Sequence, residues 1–135
     1  MVAIATKYLF SVEEYERMGE VGIFGEDDRI ELIEGEIIAM SAIGNRHVAC
    51  VNALTMALAV QVAGRGIVSV QNPVRLLPRS EPQPDLILLR PRPAGHYWGN
   101  KPASEDVLLA IEVADSSLDY DLATKAPLYA RHGIA

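Results

Sequence analysis

Two carboxylates stand where apolar sequence would exclude them. Asp85 opens the run Pro84-Asp85-Leu86-Ile87-Leu88-Leu89, and Glu112 lies near the end of Val107-Leu108-Leu109-Ala110-Ile111-Glu112-Val113. Both runs are short, rich in branched residues and bounded by turn formers, so they predict buried strands. An ionised carboxylate in or beside such a strand costs several kcal/mol unless a cation or hydrogen-bond donors meet it. If the two strands are neighbours, the acids converge on one point where a divalent cation would offset that cost. The chemistry this predicts is hydrolysis assisted by Mg²⁺ or Mn²⁺, with a phosphodiester as the first candidate substrate.

The elements that must position these acids are legible in outline. Ser11-Val12-Glu13-Glu14 is a capping box and predicts a short helix to about Met18, ended by Gly19. Arg29-Ile30-Glu31-Leu32-Ile33 and Glu36-Ile37-Ile38-Ala39-Met40 flank Glu34-Gly35, a tight β-hairpin signature. Asn45 is placed to cap a long helix from about Arg46 to Ala63, with Val48, Val51, Leu54, Leu58 and Val62 on one stripe. Gly66 to Val70 and Val74 to Leu77 follow as strand candidates. The loop from Arg90 to Glu105 holds His96-Tyr97-Trp98, read as a loop anchor. A last helix is expected from about Leu118 to Arg131, presenting Leu118, Leu122 and Tyr129 to a sheet and kinked or broken by Pro127. There is no internal repeat and no low-complexity segment.

With 135 residues, half of them apolar and 22% charged, the chain predicts one globular domain and excludes wholesale disorder. The single Cys50 cannot form an intramolecular disulfide and reads as a packed thiol, which points to a cytoplasmic setting. The start lacks the apolar stretch of a signal peptide, and no run reaches membrane-spanning length. A net charge of −6 disfavours tight, metal-free binding of nucleic acid. Local clustering of Arg75, Arg79, Arg90, Arg92 and Lys101, and neutralisation of acidic ligands by metal, would soften that objection.

Pro-Asp at the head of one strand, with an acid about 27 positions on in another, is the spacing of a PD-(D/E)XK nuclease. The words Arg29-Ile30-Glu31-Leu32-Ile33-Glu34-Gly35-Glu36, Gln83-Pro84-Asp85-Leu86 and Ile111-Glu112-Val113-Ala114-Asp115-Ser116-Ser117, continuing through Asp121 to Lys125, resemble the Uma2 (DUF820) family of restriction-endonuclease-like proteins. The resemblance runs from about Ser11 to Ile134. It implies an α/β (α+β) fold, a mixed β-sheet flanked by helices, preceded by an N-terminal helix and β-hairpin within one domain over residues 1–135.

The resemblance also implies a metal-dependent endonuclease acting on nucleic acid, DNA in first place, with no membrane partner; a homodimer is compatible with it. Asp85, Glu112 and the Val113 carbonyl would hold the metal. The lysine slot after the second acid reads Ala114, so Lys125 on the following helix is the candidate catalytic lysine, with a plain ion pair to Asp121 as its alternative. Glu31 is a candidate third ligand or metal-water contact, and His47 a further site candidate; a solvated strand acid and a first-turn polar residue are their plainer readings. Members of that family continue into further strands beyond Gly133-Ile134, so the sequence is expected to be either a fragment or a shortened relative. The bare sheet edge would leave it marginally stable or self-associating, with weak or absent nuclease activity. Two rival readings are a catalytically inactive interaction or nucleic-acid-binding domain of the same fold, and a hydrolase of smaller phosphate esters.

Overall fold

The computed structural model describes residues 4–135. Helix α1 (Val12–Glu20) starts at the capping box, with Ser11 Oγ accepting from the Glu14 amide and Glu14 Oε1 accepting from the Ser11 amide. It buries Val12 and Tyr15 against Leu32, a small core of its own. Strands β1 (Ile30–Ile33) and β2 (Glu36–Ala39) form the expected antiparallel hairpin. Its turn places Glu34 at φ 48° and Gly35 at φ 85°, the double left-handed turn that matches strand twist. A side chain on Gly35 would also collide with Leu9, whose Cβ would lie 2.6 Å from the added carbon.

Helix α2 (Asn45–Val62) is followed by an antiparallel sheet of β3 (Ile67–Val70), β4 (Leu86–Leu89) and β5 (Val107–Ile111), with β4 central. The α+β class is as expected, with the strands divided between two small antiparallel sheets rather than gathered in one mixed sheet. An isolated bridge, Leu32 to Glu81, joins the hairpin to the segment leading into β4. The chain ends in α3 (Leu118–Tyr120), a π turn (Asp121–Lys125) and α4 (Ala126–Arg131). The main core gathers Ile33, Val74, Leu76, Ile87, Leu89 and Val107 with Leu128 and Tyr129 of α4.

Several expectations are corrected. Gly44, not Asn45, occupies the N-cap of α2, and no side chain caps it. Among the described residues of that helix only Val51 is buried; Met56 and Val60 are 73% and 78% exposed, and Cys50 is exposed rather than packed. The reason is the narrow sheet, since α2 packs chiefly against its edge strand β3. Val74 to Leu77 makes no strand. Its backbone closes a local turn in which Leu76 and Ser80 exchange amide hydrogen bonds. In the 90–105 loop, Tyr97 donates to the Arg90 carbonyl and His96 packs edge-on against it, whereas Trp98 stays 90% exposed.

Pro127 does not end the last helix. It sits in the first turn of α4, directly after the π turn, where the Ala126 amide reaches the Asp121 carbonyl five residues back. The wider turn relieves the clash of the proline ring with the preceding carbonyl. It also re-phases the helix, so Leu118 and Leu122 face solvent while Lys125, Leu128 and Tyr129 turn inward. No helix among the described residues is long and apolar enough to cross a membrane.

Candidate active site

The register of β4 and β5 pairs Leu86 with Ile111. Asp85 and Glu112 each lie one residue beyond that pair, at the same end of neighbouring strands, and antiparallel pairing sends such side chains to one face. The expected convergence of the two acids is therefore a consequence of register. Asp85 is 7% exposed; its Oδ2 accepts from the Val113 amide at 2.7 Å, and its Oδ1 lies 2.8 Å from His47 Nε2. The donor and acceptor roles across this contact follow the histidine tautomer, and a His47 Nε2–H would donate to the carboxylate. The first turn of α2 thus carries His47 into the site.

Lys125 is 2% exposed, and its ammonium sits between two carboxylates. It is 2.7 Å from Glu112 Oε1 and is paired with Glu31 Oε1 as well. Asp121, the alternative partner, accepts instead from Ser117 Oγ at 2.9 Å. Glu31 is fully buried on β1, and its Oε1 also accepts from the Gln83 amide at 2.7 Å. Glu112 receives a further hydrogen bond, 2.6 Å long, from the Tyr129 hydroxyl. The five side chains singled out from sequence thus form two bonded groups, His47 with Asp85 and Lys125 with Glu31 and Glu112, set side by side through the Asp85 bond to the Val113 amide.

Burial pushes the Glu112 carboxyl up to about 7, despite the opposing pull of Lys125, and the Asp85 charge adds to the rise. Burial works against the Lys125 charge, but Glu112 and Glu31 outweigh it and raise its pKa. The Tyr129 phenol is raised by burial first and by Glu112 next, so it remains a proton donor at neutral pH. Over this cluster opens a cleft of about 320 Å³, walled by His47, Asp85, Glu112, Tyr120 and Lys125 and rimmed by Arg29 and the 41–44 segment ahead of α2. Arg29 braces that segment through a 2.5 Å hydrogen bond to the Ser41 carbonyl.

Residues 12–135 match the family model Uma2, whose description reads "Putative restriction endonuclease". The chain belongs to the Uma2 family. No curated protein matches it. The residues of the Uma2 domain that sequence reading missed are Tyr129, Tyr120 and Arg29. Tyr129 carried a signal, because it stands four residues after Lys125 and so shares its helical face. Tyr120 carried none, since the π turn that brings it into the cleft has no mark in the sequence besides Pro127. Arg29 sits just ahead of β1, and nothing before the hairpin's packing tied it to the acids.

Proposed function

We propose that this Uma2 domain is a metal-dependent endonuclease that hydrolyses phosphodiester bonds of nucleic acid, with DNA as the expected substrate. The observation that carries the reading is the juxtaposition of Asp85, Glu112 and Lys125 in one cleft, from two strands and a helix that are distant in sequence. Family membership supports a nuclease-type activity independently.

The donor set suits Mg²⁺ or Mn²⁺. Asp85 and Glu112 would supply hard oxygen ligands at the cleft wall, and the Val113 carbonyl lies next to Glu112 in sequence. Burial and mutual repulsion make the pair costly without a cation, as the raised Glu112 pKa records. Among the described residues no group of three or more His, Cys, Asp or Glu side chains is placed to hold a metal ion. The proposed cation would therefore rest on one or two carboxylates and several waters, a mode used for Mg²⁺. Such an ion supplies Lewis acidity toward the scissile phosphate and lowers the pKa of its water.

The protein's own groups divide the remaining work. Lys125, held charged and oriented by Glu31, presents its ammonium where negative charge grows on the phosphate in the transition state. His47 fixes the rotamer of Asp85. Arg29 and the uncapped first turn of α2 add positive potential at the rim, which favours an anionic backbone.

Purified protein incubated with supercoiled plasmid and Mg²⁺ should nick or linearise it. EDTA and the Asp85→Asn substitution should each abolish cleavage. Cleavage by Asp85→Asn equal to the wild type would rule out this site; absence of cleavage by the wild type under any divalent ion would favour a silent domain of the same fold. Faster turnover of a small phosphodiester than of DNA would indicate the smaller substrate class.

A further inference from the structure

Two polar atoms of the cleft cluster have no hydrogen-bond partner among the described residues although both are buried: Glu31 Oε2 and the Tyr120 hydroxyl. They are complementary, one an acceptor without a donor and the other a donor without an acceptor. They are also neighbours. Tyr120 lines the cleft beside Lys125, whose ammonium is paired with Glu31. Burial raises the Tyr120 phenol most, and the Glu31, Asp121 and Glu112 charges raise it further. The phenol therefore keeps its proton at neutral pH and can donate it.

The backbone explains how the two come together. Residues five apart in an α-helix point about 140° apart, so Tyr120 and Lys125 would ordinarily face different ways. The i→i+5 turn over Asp121–Lys125 lengthens the turn by a residue and returns them toward the same side. Glu31, on β1, then faces both. Its Oε1 is already shared by Lys125 and the Gln83 amide, which leaves only Oε2 open.

We propose that Tyr120 is a positioning residue of this site: its hydroxyl closes on Glu31 Oε2 and, through Glu31, fixes the Lys125 ammonium. The catalytic consequence rests on the nuclease reading above; the structural coupling does not. Glu112 is the other carboxylate on Lys125, and a cation held by Glu112 would compete with the ammonium for its charge. Glu31 is then the anchor left to Lys125, and an anchor with one free oxygen can rotate unless Tyr120 holds it.

The test compares wild type with Tyr120→Phe, which keeps the ring and deletes only the hydroxyl. The Lys125 ammonium signal of ¹⁵N-lysine-labelled protein, identified by its loss in Lys125→Arg, should exchange with water about tenfold faster in Tyr120→Phe, and kcat for plasmid cleavage should fall about tenfold with KM and Mg²⁺ affinity unchanged, the scale of one hydrogen bond to a charged group. Unchanged exchange overturns the proposal whatever cleavage does. If the wild type cleaves nothing, the nuclease reading fails while the exchange comparison still decides the coupling. Should Tyr120→Phe not fold, the Mg²⁺-loaded wild type answers alone: a slowly exchanging Tyr120 hydroxyl proton supports the proposal, and a rapidly exchanging one overturns it.

Discussion

A lysine with 2% of its surface in water needs negative charge beside it, and Lys125 has it from both Glu31 and Glu112. Removing the ammonium leaves two desolvated carboxylates facing each other, so Lys125→Met should lower unfolding free energy by about 3–5 kcal/mol. Adding Glu31→Gln to that variant should restore part of the loss, which urea denaturation of the single and double variants will read; no restoration would mean the cost lies elsewhere. Glu112 gives the pH dependence. Its folded pKa of about 7 lies above its ordinary 4.5, so between those values the native state holds a proton that the unfolded chain has released. Stability of the metal-free protein should therefore fall as pH rises from 4.5 to 7 and level off above. The same proton competes with a cation, so Mg²⁺ should bind more tightly as pH rises through 7, with proton release visible by calorimetry in buffers of different ionisation heat. The two acids were legible in sequence because a charge set among apolar residues must be met by a cation, a counter-charge or hydrogen-bond donors. Lys125 entered only through the family resemblance, as the substitute for the lysine slot that reads Ala114. The spacing from Lys125 put Tyr129 on the same helical face, but its donor role was not legible, because an aromatic on an apolar helix face looks the same whether it packs or donates. Tyr120 lacked even the spacing.

Among the elements, the hairpin and the capped first helix read directly from sequence, since their signals are local: Glu34-Gly35 for the turn, Ser11 with Glu14 for the cap. Two glycine substitutions check that local physics in opposite directions. Gly35→Ala must place a Cβ at positive φ and against Leu9, and should destabilise by at least about 1–2 kcal/mol. Gly19→Ala, inside α1 with open space around it, should stabilise by about 0.5–1 kcal/mol. Thermal unfolding of the two variants should move in opposite directions; a shared sign would contradict the account. What sequence could not supply was helical phase. A uniform 3.6-residue period from Leu118 onward turns Leu118 and Leu122 inward, but one extra residue in the π turn rotates the earlier part by about 100° and leaves both exposed. The apolar stripe on α2 misled for a different reason: periodicity names the face a helix could bury, and the width of the sheet beneath it decides how much of it is buried.

At the scale of the molecule, the charge of −6 and the acids lining the cleft set the terms of nucleic-acid binding. On the proposed reading, the cleft without a cation would repel phosphate, and a cation held there would reverse the local sign. Fluorescence anisotropy with a short DNA duplex should show weak binding in EDTA and at least about tenfold tighter binding with Ca²⁺, an ion that takes the same oxygen ligands. Equal affinity in both would place DNA on some other surface. The fold class followed from element order, whereas the division into two small sheets depended on the Leu32–Glu81 bridge, a contact between residues far apart that no local pattern announces. The central claim, that register brings Asp85 and Glu112 together to hold a divalent cation, is tested most directly by isothermal titration of Mg²⁺ into the wild type and into Asp85→Asn at pH 8. The account predicts one saturable site per chain in the wild type and none in the variant. Equal binding by both proteins, or no binding by either, would contradict it.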